Sequence, residues 1–466
     1  MDTVATDPTN LPAHKLAEAI AARRLSPVDV VNAFLDRIAA QDEKLHAFVE
    51  VYADEARLAA EAAEKAIRSG HAVGPLHGVP IALKDLIEIE GKIATGGTRI
   101  WRDRRATRTA TLARRLIAQG MIVLGKTHTV EFAYGGWGTN ARVGTPWNPW
   151  DPKVPRTPGG SSSGSGVAVA ARLAPWAIGT DTGGSVRLPA SFCGLTGLKT
   201  TIGRVSTYGI LPLSPTLDTP GPMARSVEDA AVLYQAMHGP DPLDPHTIAV
   251  PPGDLTEQWK RGIRGMRLAR MPEQERGVVT ADVLAAYEES LDVLAGLGAE
   301  IVSIELPLGF ADAGALNGRI MSAEAYAILG DVVDDASLPL DEDVRPRIRA
   351  GRDISARAYL AALREREAHK RAFAAAFADF DALLTPTTPM TAVPLDAVDQ
   401  SKTPAHFTRF ANLLDLCALA VPNGIANGLP TSLQIIGRGY DEESVLRIGR
   451  AYQGATDWHE RSPPSS

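Results

Sequence analysis

Apolar positions along this chain fall first at helical and then at strand spacing, and the alternation recurs to the C-terminal end. In "SPVDVVNAFLDRIAAQD" they return every three or four residues, with Ser26 at the N-cap and Pro27 at the first helical position, so a helix is predicted there. Ala53 to Ser69 is rich in Ala and Glu and predicts a second helix, stopped by Gly70. The period shortens in "HGVPIALKDLIEI", which reads as a strand whose apolar run "VPIAL" ends at Lys84. "RTATLARRLIAQG" and "MIVLGKT" repeat the pair as a helix stopped by Gly120 and a buried strand. The small residues of "VAVAARLAPWAIG" suit a tightly packed helix and a buried strand. "SVEDAAVLYQAMHG" then opens like a capping box, with Ser226 at the N-cap and Asp229 in place of the usual Glu.

"VLAAYEESLDVLAGLGAEIVSIELP" gives a further helix and strand, whereas Ser337 to Phe377 is charged, Arg-rich and largely helical, and reads as peripheral. Buried character returns in "DALLTPTTP", "ALAVPNG" and "TSLQIIG", ahead of the helix "EESVLRIGRAYQ". Alternation of this kind predicts an α/β protein with a mixed twisted β-sheet covered by helices on both sides. There is no internal repeat and no clear linker, so residues 1–466 are expected to form a single large domain. Trp137 to Pro158, rich in Pro, Trp, Asn and Gly, is expected to be an extended ordered loop.

The totals narrow the function. The chain has 466 residues, 45% hydrophobic and 22% charged, enough to bury a large core. Its net charge of −7 comes without a basic stripe, which argues against direct nucleic-acid binding. Cys193 and Cys417 belong to no metal spacing, and no signal peptide or membrane span is read, so a cytoplasmic protein is expected.

The candidate chemistry lies in "TPGGSSSGSGVAVAARLAPWAIGTDTGGSVRLPASFCG", where two Gly-Gly-Ser runs flank apolar sequence. A flexible linker would join polar ends, and this run leads straight into buried sequence. Gly160 to Gly164 fits the nucleophile-elbow pattern, which needs a preceding strand, but "WDPKVPRTPG" carries three prolines. A phosphate-binding loop would need a following G-K-[ST], which is absent. A serine nucleophile needs a base, and the nearest histidines in sequence are His128 upstream and His238 downstream. Lysine serves if burial holds it neutral, and Lys84 ends an apolar strand where burial is expected.

Lys84 in "IALKD", the "PGGSSSGSG" run, "GTDTGGSVRLPASFCGLTGLKTT", "GRVSTYGILPLSPTLDTPGPMARSVEDAA" and "LPTSLQIIGRGYDEESVLRIGRAYQ" together resemble the amidase signature family of serine hydrolases. The resemblance is densest over a signature core of about 76–239 and a C-terminal part of about 381–455. It implies a Ser-cisSer-Lys triad, with Ser185 the nucleophile, Ser161 the bridging serine after a cis peptide at Gly160, and Lys84 the base. It further implies an oxyanion hole from the N–H groups of Thr182, Gly183, Gly184 and Ser185. Ser162, Ser163, Asp181 and Arg187 are given supporting roles, and Tyr134, Gly135, Trp137 and Phe192 are expected to line the substrate pocket. Arg347 is a candidate for a substrate carboxylate, with an exposed helix position as the other reading.

The resemblance implies a hydrolase of a small carboxylic amide, apolar or aryl by the pocket residues, with carbamate or urea-type carbonyls sharing the acyl chemistry. The alternative is the glutaminase subunit of a glutamyl-tRNA(Gln) amidotransferase complex. There, a D-x-x-T segment supplies an acid for the glutamine amino group, whereas this chain has Ala405-His406-Phe407-Thr408. The expected partner is the small-molecule amide itself, with no membrane involvement and with a homodimer allowed. No cofactor and no metal are expected, since there is no HExxH, cysteine cluster or phosphate loop. Amide hydrolysis should therefore survive prolonged chelation, and loss of activity that zinc restores would overturn the serine mechanism.

Overall fold

The computed structural model describes residues 7–247 and 261–464, and the first six residues of the stretch read for a signal peptide lie outside them. Eleven strands among the described residues form one sheet: β1 (Phe48–Val51), β2 (Pro80–Lys84), β3 (Ile122–Thr127), β4 (Trp176–Asp181), β5 (Thr196–Lys199), β6 (Thr219–Ala224), β7 (Arg267–Arg270), β8 (Glu300–Ser303), β9 (Ala382–Pro386), β10 (Cys417–Ala426) and β11 (Leu429–Gly437). Their spatial order is β1-β3-β2-β4-β6-β5-β10-β11-β9-β7-β8. The sheet is mixed: β2 runs parallel to β3 and β4, and β7 parallel to β8 and β9, while the central pairings from β4 to β9 are antiparallel. Every residue of β2, β4 and β11 is buried, as expected of strands covered on both faces. The hydrophobic core is continuous from Ala13 to Tyr452, so sequence from both ends of the chain packs together.

Local chemistry accounts for the helix ends. Ser26 Oγ accepts the Val28 N–H at 3.0 Å at the start of the helix Pro27–Leu45. Gly70 ends Ala53–Ser69 at φ +82°, a conformation that suits glycine. Ser226 caps Val227–Met237 by accepting the Asp229 N–H at 3.1 Å. Asp229 does not close the capping box; its carboxylate accepts from the backbone N–H groups of Ala13 and His14, at 3.2 and 2.8 Å, and so docks the first helix onto this one.

The Gly/Ser run is no linker. Residues 157–171 are all buried, and Ser163–Ala170 is a helix packed on β2, β3 and β4. Gly164 explains the composition: a Cβ there would stand 2.2 Å from the Ala47 carbonyl oxygen and 2.4 Å from the His128 nitrogen. Only a bare backbone lets the helix lie that close.

Two features were not foreseen. Phe310–Asp334 is a 25-residue helix whose Gly314, Gly318 and Gly330 disguise its periodicity in the sequence. The Arg-rich segment folds as Val344–Arg349 and Ala356–Ala376, but it is not wholly peripheral, because Arg347 reaches a cavity next to Ser185. Limited proteolysis is expected to leave 157–171 uncut while exposed loops are cleaved. Gly164→Val should lower the melting temperature by more than ordinary overpacking, which costs about 1–3 kcal/mol, because the atoms it meets are backbone.

Candidate active site

Parallel register brings the first two groups together. Leu83 of β2 pairs with Ile178 of β4, so Lys84, the last residue of β2, arrives beside the end of β4. Its side chain is fully buried, and Nζ lies 2.8 Å from Ser161 Oγ and 2.8 Å from Thr180 Oγ1. Burial is the main cause that lowers its pKa to about 7, with the charges of Asp218 and Asp181 pulling the other way. Near neutral pH this amine therefore has a lone pair to offer, and the contact can then run from the Ser161 O–H to Nζ.

Ser161 follows a cis peptide bond at Gly160 and precedes the helix Ser163–Ala170. A Cβ on Gly160 would sit 2.7 Å from the Gly138 backbone, so the loop needs glycine there. The Ser162 N–H donates to the Ser185 carbonyl at 3.3 Å and ties the two serine loops together. Ser162 Oγ donates to the Thr180 carbonyl and accepts the Thr180 N–H, both at 3.2 Å. It holds the end of β4 and makes no hydrogen bond to Lys84 among the described residues. Ser163 Oγ is buried with no protein partner among the described residues.

Ser185 lies between β4 and the helix Arg187–Cys193, 8% exposed, on the wall of a cavity of about 370 Å³. Its loop is organised by Asp181. One carboxylate oxygen accepts the Gly184 N–H at 2.7 Å and the other the Val186 N–H at 3.1 Å. Arg187 donates to both oxygens, at 3.0 and 2.9 Å, and both side chains are fully buried. Burial alone would raise the Asp181 pKa, but the Arg187 charge and hydrogen bonds, with Lys199 and Asn412, hold it well below the usual carboxylate range.

Gly184 thus departs from the expected oxyanion set, because its N–H is already spent on Asp181. Thr182, Gly183 and Ser185 have N–H groups with no acceptor among the described residues. The carbonyl of Gly183 accepts from Thr408 Oγ1 at 2.7 Å, and that of Thr182 from Asn317 Nδ2 at 3.4 Å, so the carbonyls on either side are pinned. Thr182 also donates from Oγ1 to Asp218 at 2.5 Å, whose carboxyl is raised to about 6 by burial.

The cavity wall includes Tyr134, Gly135 and Trp137, as expected. The Tyr134 hydroxyl is 2.7 Å from Ser322 Oγ, and Trp137 Nε1 donates to the Lys402 carbonyl at 2.9 Å. Phe192 is a correction: it is fully buried off the cavity, stacked 6.3 Å from Trp137 in a small apolar cluster with Ala392. It sits on the helix Arg187–Cys193 and packs rather than lines. Thr180, Asn317, Thr408 and Arg409 were not singled out from the sequence. Thr180 lies in the "GTDTGGSVR" segment and Thr408 in "AHFT", but no spacing marks Asn317 or Arg409, which arrive from distant helices. Among the described residues no cluster of His, Cys, Asp and Glu could hold a metal ion, and no helix is long and apolar enough to cross a membrane.

Known proteins share this arrangement's fold and sequence. The chain is 37% identical to the A subunit of the glutamyl-tRNA(Gln) amidotransferase of Roseiflexus castenholzii, over 96% of each chain. It superposes with a TM-score of 0.85 on the native peptide amidase of Stenotrophomonas maltophilia, at 32% identity over 97% of this chain and 98% of that one. A chain from a vestigial protein complex that bears on the origins of an s-triazine catabolic enzyme gives a TM-score of 0.89, at 32% identity over 95% and 98%. The family model described as Amidase matches residues 29–446, and by that match over most of its length the chain belongs to the Amidase family.

Proposed function

We propose that this chain is an amidohydrolase that cleaves the C–N bond of a small carboxylic amide through an acyl-enzyme on Ser185. The observation that carries the reading is the buried Lys84, 2.8 Å from Ser161, beneath the loop that presents Ser185 to a cavity. Ser185 attacks the carbonyl, its proton passes to Ser161, and the Ser161 proton passes to Lys84. The relay then runs backwards and delivers the proton to the leaving amine as the C–N bond breaks. Water, deprotonated by the same relay, releases the acid. The N–H groups of Thr182, Gly183 and Ser185 are the candidates for the oxyanion hole, where a donor is worth about 3 kcal/mol in the transition state.

The substrate's apolar or aryl character finds less support. Phe192 does not line the cavity, and the wall carries Arg347, Gln400, Lys402 and Arg409 beside Tyr134 and Trp137. Carbamate and urea-type carbonyls remain within the same acyl chemistry.

The second reading, a glutaminase subunit of an amidotransferase, is supported by the 37% identity to such subunits over nearly the whole chain. Glutamine brings an α-ammonium group, and among the described residues of the cavity wall there is no Asp or Glu to receive it. Ammonia release from glutamine, raised further by addition of a cognate partner protein, would decide for this reading. Faster amine release from simple amides would decide for the first.

Ser185→Ala is expected to lower kcat by at least about 10⁴-fold, with Lys84→Ala and Ser161→Ala severe and the double variants little worse than the singles, because the groups act as a unit. Retention of most activity in Ser185→Ala with its loss in Ser162→Ala would instead point to the nucleophile-elbow pattern.

The pH profile follows from the sign of the lysine shift. Below about pH 7 Lys84 holds a proton and cannot take another; above it the amine is neutral, so kcat/KM should rise through a midpoint near 7 and level off. His128 is already neutral there, since burial lowers its pKa to about 4. Replacing His128 or His77 by Asn should leave the limb in place, whereas Lys84→Arg should abolish activity at every pH. Substantial activity in Lys84→Arg with an unmoved limb would identify another base.

A further inference from the structure

The cavity at Ser185 is unusual in its charge. Arg347, Lys402 and Arg409 reach its wall, and among the described lining residues no Asp or Glu does. Lys402 is a rim residue, exposed and 3.5 Å from Asp399, but the two arginines have no acidic partner among the described residues.

Arg409 is the more telling. It follows Thr408 in the helix Thr408–Leu413, and its stem lies against the loop before Ser185: a Cβ on Gly183 would stand 3.3 Å from Arg409 Cγ. Among the described residues its one hydrogen bond is a long one, 3.4 Å from Nη1 to the Gly314 carbonyl, for a group with five N–H donors. Arg347 comes from the helix Val344–Arg349 and is held by neutral acceptors, the Tyr134 carbonyl at 3.1 Å and the Gln400 side chain at 2.7 Å. Those bonds aim the guanidinium and leave its charge uncompensated. Burial pushes the Arg409 pKa down, and the Arg347 charge adds to that against the pull of Tyr134. Two cations in one cavity without a counter-charge repel each other, and a planar anion between them would reverse the sign of that interaction.

We infer that Arg409 and Arg347 bind a carboxylate on the substrate, so that the amide cleaved at Ser185 is a short amide acid and not an uncharged one. The inference rests on the acyl-enzyme reading and narrows its substrate class. A carboxylate accepts from a guanidinium fork through two parallel N–H bonds, which Lys in the place of Arg409 would not reproduce. An amide acid without an ammonium group suits this wall better than glutamine does.

The test compares malonamate, succinamate and glutaramate with propionamide, butyramide and valeramide, in which a methyl group takes the place of the carboxylate. At least one amide acid is expected to exceed its neutral counterpart in kcat/KM by about 100-fold, the size of two charge-assisted hydrogen bonds. Arg409→Met, which keeps the stem on Gly183, should remove that preference chiefly through KM and leave the neutral amides within about threefold; Arg409→Lys should fall between. Glutaramate should outpace glutamine. A wild-type protein that hydrolyses the neutral amides as well as the acids overturns the carboxylate site and leaves the hydrolase reading standing. Calorimetry separates the opposite case, with succinate and glutarate titrated into Ser185→Ala and into Ser185→Ala/Arg409→Met. Binding lost with Arg409 supports the site even if no amide turns over, and no binding to Ser185→Ala overturns it.

Discussion

A buried ion pair holds the loop on which the proposed chemistry depends. Asp181 ends β4 and takes two backbone N–H groups from the loop that follows, while Arg187 closes on both of its oxygens. The arginine goes on to the Thr408 carbonyl, the Asn412 side chain and Gln434 of β11, at 2.8, 2.7 and 2.6 Å. One guanidinium thus joins the signature core to the C-terminal part of the sheet. A pair this buried is compensated only because each remaining donor finds an acceptor; either partner alone would be a bare charge in the core. The pair also takes up the Gly184 N–H and leaves its neighbours on either side without an acceptor among the described residues.

Lys84 answers to the opposite requirement. It is as buried as Arg187 but meets hydroxyls where Arg187 meets a carboxylate, so desolvation is only partly offset, by the more distant charges of Asp218 and Asp181, and its pKa is lowered to about 7. Guanidinium could not be used in this way, and an exposed lysine would stay protonated. The mechanism rests on that contrast between two buried cations in neighbouring loops.

The floor and the walls of the cavity come from different parts of the chain. Lys84, Ser161 and Ser185 come from β2 and from the segments flanking the helix Ser163–Ala170 and β4, within about a hundred residues of sequence. Arg347, Arg409 and Ser322 come from helices in the second half of the chain, and two of those helices also hold the serine loop through Thr408 and Asn317. The chain is similar both to a peptide amidase and to an amidotransferase subunit.

Much of the floor could be read in the sequence. Period and capping located the helix Pro27–Leu45, Ala53–Ser69 to its last residue, and the strand that ends at Lys84, because these signals are local and burial follows them. The first Gly-Gly-Ser run marked where backbone must pass close to backbone and the second where side chains press on the loop, and an apolar strand ending in lysine marked a candidate base. What lies near what was not written there. Phe192 and Trp137 are both aromatic and stack in one apolar cluster, yet only Trp137 also reaches the cavity wall, because the helix Arg187–Cys193 holds Phe192 fully buried. Arg347 read equally as an arginine for a substrate carboxylate and as an exposed helical one, and it is Phe310–Asp334, a helix whose glycines hid its period, that places Val344–Arg349 against the site. Thr408 and Arg409 carry no signal beyond a missing acid at Ala405. Side-chain type and periodicity are set residue by residue, so the sequence determines them alone; charge balance in a cavity is summed over elements distant in sequence, and only the tertiary structure does that sum.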